Sequence, residues 1–198
     1  TGFPTLDRLT LGIIPSEYSL LGARPSEGKS ALAIQLTRQV VERNTGVAAV
    51  IFSLEMPDQV VTQRLLSNKS GVPFGLLRVG RLMDDDEQRL AQAAGQLSLL
   101  PIYLDCSSTL HVLELRGKVR RLKRQVPSLG LVVVDYLQLL TGDTTESRNQ
   151  EVSSISRHLK ALAAELQVAV LAVSQLSRPI SGSKDKPTLS SLRDAGAL

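Results

Sequence analysis

The sequence predicts an α/β domain, with a mostly parallel, twisted sheet and helices on both of its faces. Short apolar runs rich in Val, Ile and Leu alternate with longer stretches of helical period, which is the pattern of strand-helix-strand units. A glycine-containing loop joins the first run to a helix, and a later run ends in a single aspartate. The predicted strands lie at about 18–22, 47–53, 101–104, 131–135 and 168–174. The length of 198 residues suits one domain.

The composition excludes several classes of protein. Hydrophobic residues make up 42% and charged residues 21% of the chain, which is incompatible with a disordered or collagen-like protein. The longest apolar runs, 131–134 and 168–173, are far shorter than the roughly 20 residues that span a bilayer. The single cysteine, Cys106, excludes an internal disulfide, and we interpret it as a small half-buried residue. We therefore expect a cytoplasmic protein with no membrane partner.

Three helices are predicted from the apolar period. One covers 30–42, directly after the glycine-containing loop, and another covers 152–166. The third, over about 109–126, has an apolar face and a basic remainder. The basic side chains form either a DNA-binding face or an ordinary solvated face or subunit contact, and the lack of interleaved aromatic residues favours the second interpretation. The polar segments 140–149 and 177–188 are predicted to be exposed loops.

A phosphate-binding loop is predicted where the first strand runs into the first of these helices. Gly28 lets backbone amides approach phosphate oxygens, Lys29 reaches the β- and γ-phosphates, and Ser30 ligates magnesium. The usual pattern places a glycine at position 23, where this chain has Ala23; alanine is accepted there if the backbone does not need a positive φ. The residues predicted to contact nucleotide in this segment are Gly22, Ala23, Arg24, Pro25, Ser26, Glu27, Gly28, Lys29, Ser30 and Ala31.

Polar side chains at other strand ends complete the predicted site. Asp135 ends the apolar run LVVVD and would hold magnesium through water, although a buried strand also ends in aspartate for purely structural reasons. The carboxyl ends of parallel strands share one edge, so Glu55 and Gln175 are expected beside it. Glu55 would act as the base for the attacking water, and Gln175 would bind the γ-phosphate. The alternative for Glu55 is a carboxylate that only stabilises the start of the next helix.

The combined motifs resemble the RecA-like motor domain of bacterial replicative DNA helicases of the DnaB type. The matching segments cover nearly the whole chain and read, in order, TGFPTLD, GARPSEGKS, FSLEMP, LVVVDYLQLL, RNQEVSSISRHLKALAAEL, LAVSQLSR and SLRDAGAL. The resemblance implies a RecA-like P-loop NTPase core, one ATPase domain over 1–198, with ATP and Mg²⁺ as ligands. It also implies that Lys29 and Ser30 bind phosphate and magnesium, that Asp135 is the Walker B acid and Glu55 the catalytic carboxylate, and that Gln175 senses the γ-phosphate.

The same resemblance implies partners. Arg193, Asp194 and Gly196 match the family's contacts to single-stranded DNA, although the sequence alone favours a solvated surface arginine at Arg193. Arg64, on the helix after Glu55, lies near the nucleotide in the family. Members form homo-hexamers that work with a primase and a helicase loader.

Two departures from the family pattern have consequences. Glu27 replaces the Met of many members, and an acid there weakens nucleotide binding unless it turns outward. The sequence stops at Leu198, where the family continues into further strands and its arginine finger. We therefore expect these 198 residues alone to have little helicase activity.

The leading interpretation is an ATP-dependent DNA helicase motor that couples ATP hydrolysis to translocation on single-stranded DNA during replication. A RecA-like recombinase, or another oligomeric P-loop ATPase, is the second interpretation, and the segments SLEM and DYLQLL favour the helicase over it. The third is a catalytically idle nucleotide-binding module for ring assembly. The presence of both Glu55 and Lys29 argues against this third interpretation.

Overall fold

A computed structural model of the chain describes residues 1–142 and 147–176. The elements in chain order are α1 (Pro4–Thr10), β1 (Tyr18–Ala23), α2 (Lys29–Arg43), β2 (Ala48–Ser53), α3 (Asp58–Ser70), α4 (Phe74–Val79), α5 (Asp84–Leu97), β3 (Ile102–Asp105), β4 (Leu110–His111), α6 (Val112–Gln125), β5 (Leu129–Asp135), a 3-10 turn (Leu137–Leu139), β6 (Leu140–Thr141), α7 (Arg148–Leu166) and β7 (Ala169–Gln175).

The five strands predicted from the sequence form one sheet, in which every neighbouring pair is parallel. Its order is β1-β7-β5-β2-β3. The register places Ala23 of β1 opposite Gln175 of β7, and Ser53 of β2 opposite Asp135 of β5. The carboxyl ends of these four strands therefore lie side by side along one edge, which is the edge where doubly covered α/β sheets bind ligands.

Both faces of the sheet are buried, which explains why its strands are almost continuously apolar. In β5, Val132 and Val134 face the layer formed by α6 and α7, whereas Leu131 and Val133 face the layer that contains α2 and α3. All four side chains are at most 1% exposed. The predicted α/β class, with helices on both faces of a parallel sheet, is confirmed.

The prediction of a loop over 140–149 is wrong at both ends. Leu140 is fully buried and begins β6, which pairs with β4. Arg148 already begins α7, because the Ser147 side chain caps the helix by accepting a hydrogen bond from the Gln150 backbone N–H. Residues 110 and 111 form β4, which pairs with β6, so α6 begins at Val112 rather than near 109. Residues 143–146 and the predicted loop 177–188 lie outside the described residues.

The basic residues of α6 make contacts within the fold. Arg116 and Arg120 both pair with Glu165 of α7, at 3.2 and 2.7 Å. Lys118 pairs with Asp105 at the end of β3, at 2.8 Å. These contacts use three of the positive charges to join α6 to its neighbours, whereas the interpretation of the basic face as solvated or as a subunit contact stays a prediction. Within residues 1–142 and 147–176, the helices are all too short or too polar to cross a membrane.

Candidate nucleotide site

The loop between β1 and α2 has the backbone of an anion site. Gly28 caps α2 with φ of +87°, and Ser26 also has a positive φ of +65°. A Cβ atom at Gly28 would meet nothing within 4 Å, so the left-handed backbone, rather than crowding, favours glycine at this position. Lys29 and Ser30 are the first two residues of the helix. The unpaired N–H groups and positive dipole end of a helix start attract phosphate.

The loop departs from the usual sequence pattern at Ala23 and at Glu27, and the two residues differ in their effect on the site. Ala23 is the last residue of β1 and keeps the extended backbone of a strand, so the position does not need glycine. Glu27 turns back toward the loop, where its carboxylate accepts a hydrogen bond of 2.9 Å from the Arg24 backbone N–H. The negative charge of Glu27 therefore stays beside the predicted phosphate position.

Lys29 lies between a carboxylate and an aromatic face. Its Nζ atom is 3.3 Å from Oε2 of Glu55 and 4.5 Å from the centroid of the Tyr136 ring. The Lys29 side chain is only 10% exposed, whereas that of Glu55 is 49% exposed. Glu55 precedes α3, whose N-cap is Pro57. Its contact with Lys29 favours a role in the site over a purely helix-stabilising role.

Asp135, the last residue of β5, is a buried carboxylate at the same edge. The residue is 2% exposed, and among the described residues neither of its side-chain oxygens has a hydrogen-bond partner. Burial raises the pKa of this carboxyl; Glu55 raises it further, and the Ser30 hydroxyl, Lys29 and Arg64 oppose the rise. The peptide bond from Asp135 to Tyr136 is cis.

The donor set at Asp135 fits magnesium. Two unpaired carboxylate oxygens beside the Ser30 hydroxyl are the hard oxygen ligands that this ion prefers. Within the described ranges no group of three or more His, Cys, Asp or Glu side chains is placed to hold a metal. Mg²⁺ is usually held by one or two protein groups together with substrate phosphates and water.

Gln175 ends β7 next to the start of the phosphate loop. Its neighbour in the sheet is Ala23 of β1. On the other side, the backbone of Gln175 is held by the side-chain amide of Gln138 from the turn after β5. Gln138 was not identified from the sequence as a site residue, and its only signal was its place in the segment DYLQLL.

A cavity of about 550 Å³ extends from the phosphate loop to α3 and α4. Arg64 lines it, as the resemblance implies, with its guanidinium carbon 4.5 Å from the centroid of the Phe74 ring. Within the described parts of the chain, Nε of Arg64 has no hydrogen-bond partner. Phe74 and Arg78 of α4 also line the cavity and were missed by the sequence analysis, which predicted no helix there.

The structure thus brings together the phosphate loop, Glu55, Asp135, Gln175 and Arg64. The predicted DNA contacts Arg193, Asp194 and Gly196 lie outside the described residues.

A sequence profile described as the DnaB-like helicase C terminal domain matches residues 1–198. The chain belongs to the DnaB-like helicase family. A replicative DNA helicase DnaB of Geobacillus stearothermophilus is 43% identical over 201 residues, covering all of this chain and 44% of that protein. A DnaB of Mycobacterium leprae is 50% identical over 154 residues, covering 77% of this chain and 25% of the relative.

A solved structure of a DnaB-like replicative helicase, described with its interactions with primase, superimposes on the whole chain. The TM-score is 0.91 and the sequence identity 34%, and this chain covers 48% of that structure. The DnaB-like chain described here therefore spans less than half the length of these relatives.

Proposed function

We propose that this chain is the motor domain of a replicative DNA helicase, which hydrolyses ATP to move along single-stranded DNA and so separates the duplex. The observation that carries the proposal is the contact between Lys29 and Glu55, at 3.3 Å, on the sheet edge that also holds Asp135 and Gln175. A candidate phosphate-binding lysine, a candidate base, a candidate metal-binding carboxylate and a candidate sensor therefore lie along one edge of the sheet. Membership of the DnaB-like family supports the helicase over a recombinase.

ATP would bind with its phosphates over the amides of the loop and Lys29. Lys29 then exchanges the carboxylate of Glu55 for phosphate oxygens, which frees Glu55 to accept a proton from the attacking water. Ser30 and Asp135 would hold Mg²⁺, which supplies positive charge to the phosphate oxygens. The water oxygen bonds to the γ-phosphorus as the bond to the β-γ bridging oxygen breaks, giving ADP and phosphate. Gln175 distinguishes the ATP-bound state from the ADP-bound state, because only ATP offers it a γ-phosphate for a hydrogen bond.

The partners belong to the same proposal. Arg193, Asp194 and Gly196 would contact phosphates of single-stranded DNA, and the functional unit would be a homo-hexamer. The similar solved structure of a helicase described with primase supports primase as a partner, and a helicase loader is a further expected partner. A motor that moves on bacterial DNA works in the cytoplasm.

A strand-displacement assay on the full-length protein tests the proposal. We expect ATP-dependent release of one strand from a forked duplex, together with ATP turnover that single-stranded DNA stimulates. Strand exchange without displacement would indicate a recombinase. ATP binding without turnover, in the presence of DNA, would indicate an assembly module.

A further inference from the structure

The side-chain amide of Gln138 makes three hydrogen bonds to the end of β7. Its Nε2 atom donates to the hydroxyl of Ser174 at 2.9 Å and to the carbonyl oxygen of Gln175 at 3.2 Å. Its Oε1 atom accepts from the backbone N–H of Gln175, also at 3.2 Å. One side chain therefore satisfies both backbone polar groups of the candidate sensor residue.

These hydrogen bonds replace a strand partner that β7 lacks at this point. The pairing between β5 and β7 ends at Val134 and Ala172, so β7 continues for three residues beyond it. The N–H and C=O groups of one strand residue point to the same side, and left unpaired they would cost stability. Gln138 supplies a donor and an acceptor together, as a peptide group of a neighbouring strand would.

Gln138 itself is anchored next to the nucleotide site. It lies three residues after Asp135 and two after Tyr136, whose ring contacts Lys29. Leu137 beside it is fully buried, and Arg148 at the start of α7 donates hydrogen bonds to the carbonyl oxygens of Gln138 and Leu140. The turn is therefore held by a buried side chain and by Arg148, and it connects Asp135 and Tyr136 directly to Gln138.

The other side of β7 is attached to the phosphate loop. The backbone N–H of Leu176 donates to the carbonyl oxygen of Ala23 at 3.0 Å, directly before the loop begins. The tip of β7 is thus held between β1 on one side and Gln138 on the other. The position of Gln175 depends on both contacts.

We propose that Gln138 is a positioning residue that sets the place of Gln175 relative to the phosphates and transmits the state of the Asp135 turn to it. The inference rests on the proposed function. Gln138 touches no reacting group. Its contribution to turnover passes through Gln175 and should appear mainly in the part of ATP hydrolysis that DNA stimulates.

A double-mutant cycle in the full-length protein tests this role. Gln138→Met keeps the length of the side chain but removes all three hydrogen bonds, and Gln175→Ala removes the candidate sensor side chain. We expect Gln138→Met to lower the DNA-stimulated kcat by up to about 100-fold, which is the loss of rate expected when an active-site group is displaced by about 1 Å. The KM for ATP should change little. The double variant should be no slower than Gln175→Ala alone. Gln92→Met, at an exposed position of α5, is the matched control.

Two results would overturn the inference. One is a Gln138→Met enzyme that behaves like Gln92→Met; the other is a double variant in which the two losses multiply. If Gln138→Met does not fold, Gln138→Glu, which retains an acceptor for the Gln175 N–H, replaces it in the same cycle. If the wild-type protein shows no DNA-stimulated turnover, the proposed function and this role are both rejected. If the wild type turns over normally and the Gln138 variant is as active as the control, only this role is rejected.

Discussion

The ammonium group of Lys29 lies 3.3 Å from the carboxylate of Glu55, so the predicted phosphate-binding cation and the predicted base are each other's ion-pair partners. Lys29 is largely buried and also faces the Tyr136 ring. A triphosphate offers Lys29 several anionic oxygens in place of one carboxylate. Binding of the γ-phosphate would therefore release Glu55 at the place where a base is needed. Under the proposed function, this ion pair would couple the availability of the base to the presence of ATP.

Glu55→Gln should abolish ATP turnover while ATP still binds. The amide keeps the shape of the side chain but does not accept a proton from water at neutral pH, and a positioned base contributes on the order of 10²–10⁴ in rate. The measurement is kcat and the Kd for ATP of the full-length protein with single-stranded DNA. Glu17→Gln, at an exposed position before β1, is the control. Unchanged turnover in Glu55→Gln would remove Glu55 from its proposed role.

Phe74→Leu should weaken ATP binding by way of Arg64. The Arg64 guanidinium carbon lies 4.5 Å from the centroid of the Phe74 ring, and a contact of this kind is worth about 0.5–1 kcal/mol, which limits the increase in Kd to roughly 2- to 5-fold. Titration with a fluorescent ATP analogue measures the change. In an Arg64→Ala background the Phe74 substitution should have no further effect. An equal loss in both backgrounds would show that Phe74 acts independently of Arg64.

Asp135→Asn should stabilise the protein in metal-free buffer. Burial raises the pKa of the Asp135 carboxyl above its ordinary value of 3.8, so the folded state disfavours the ionised form, and this cost grows as the pH rises above that value. The burial cost exceeds the opposing effects of Ser30, Lys29 and Arg64, so removing this buried charge should raise the free energy of unfolding at pH 7 by roughly 1–3 kcal/mol. Thermal unfolding with a chelator measures it, with Asp84→Asn on the surface as the control.

Magnesium with ATP should reverse that order of stability. The wild-type protein gains stability from bound ligand, whereas Asp135→Asn lacks the metal-binding carboxylate and should gain less. A variant that is less stable than the wild type in chelator would contradict the account of Asp135 as a carboxylate held in place for a cation.

Glu165→Gln should lower the melting temperature at pH 7 by a small amount. Hydrogen bonds from Arg120, together with Arg116, lower the pKa of Glu165 from its ordinary value of 4.5 to about 2. A lowered carboxyl pKa contributes stability above the pKa of the unfolded chain, and that contribution is lost as the pH falls from about 4.5 toward 2. The effect is small because the pair is partly exposed and screened by salt.

The comparison of melting temperatures between pH 7 and pH 3 measures this contribution. The difference between wild type and Glu165→Gln should shrink as the pH falls, and Glu87→Gln on α5 serves as the control. A difference that stays constant over this range would show that Glu165 acts through packing rather than through its charge.

The parts of the site that were predictable from the sequence depend on local signals. Gly28, Lys29 and Ser30 lie between an apolar strand and an amphipathic helix, and Asp135 ends an apolar run. In a parallel sheet the carboxyl ends of all strands lie along one edge, whatever the order of the strands. That is why Glu55 and Gln175 could be placed beside the loop without knowledge of their neighbours.

The parts that were missed depend on tertiary contacts. Gln138 makes its hydrogen bonds to Gln175 only because β7 extends beyond its pairing with β5, and the order of the strands was not predictable from the sequence. Phe74 lies on α4, a helix of six residues that is too short for an apolar period to be recognised. Leu140 was assigned to a polar loop because the segment that follows it, TGDTTESRN, is polar, although Leu140 is fully buried between β4 and α7.

The most direct test of the central claim is a structure of the protein with Mg²⁺ and a non-hydrolysable ATP analogue. The quantities to measure are the distances from the Nζ atom of Lys29 to the γ-phosphate oxygens and to the Glu55 carboxylate. We predict that Nζ lies within hydrogen-bond distance of a γ-phosphate oxygen and has left the Glu55 carboxylate, with Ser30 and Asp135 at the metal. A triphosphate bound away from the Gly28 loop, or a contact between Lys29 and Glu55 that persists with the analogue bound, would contradict the account.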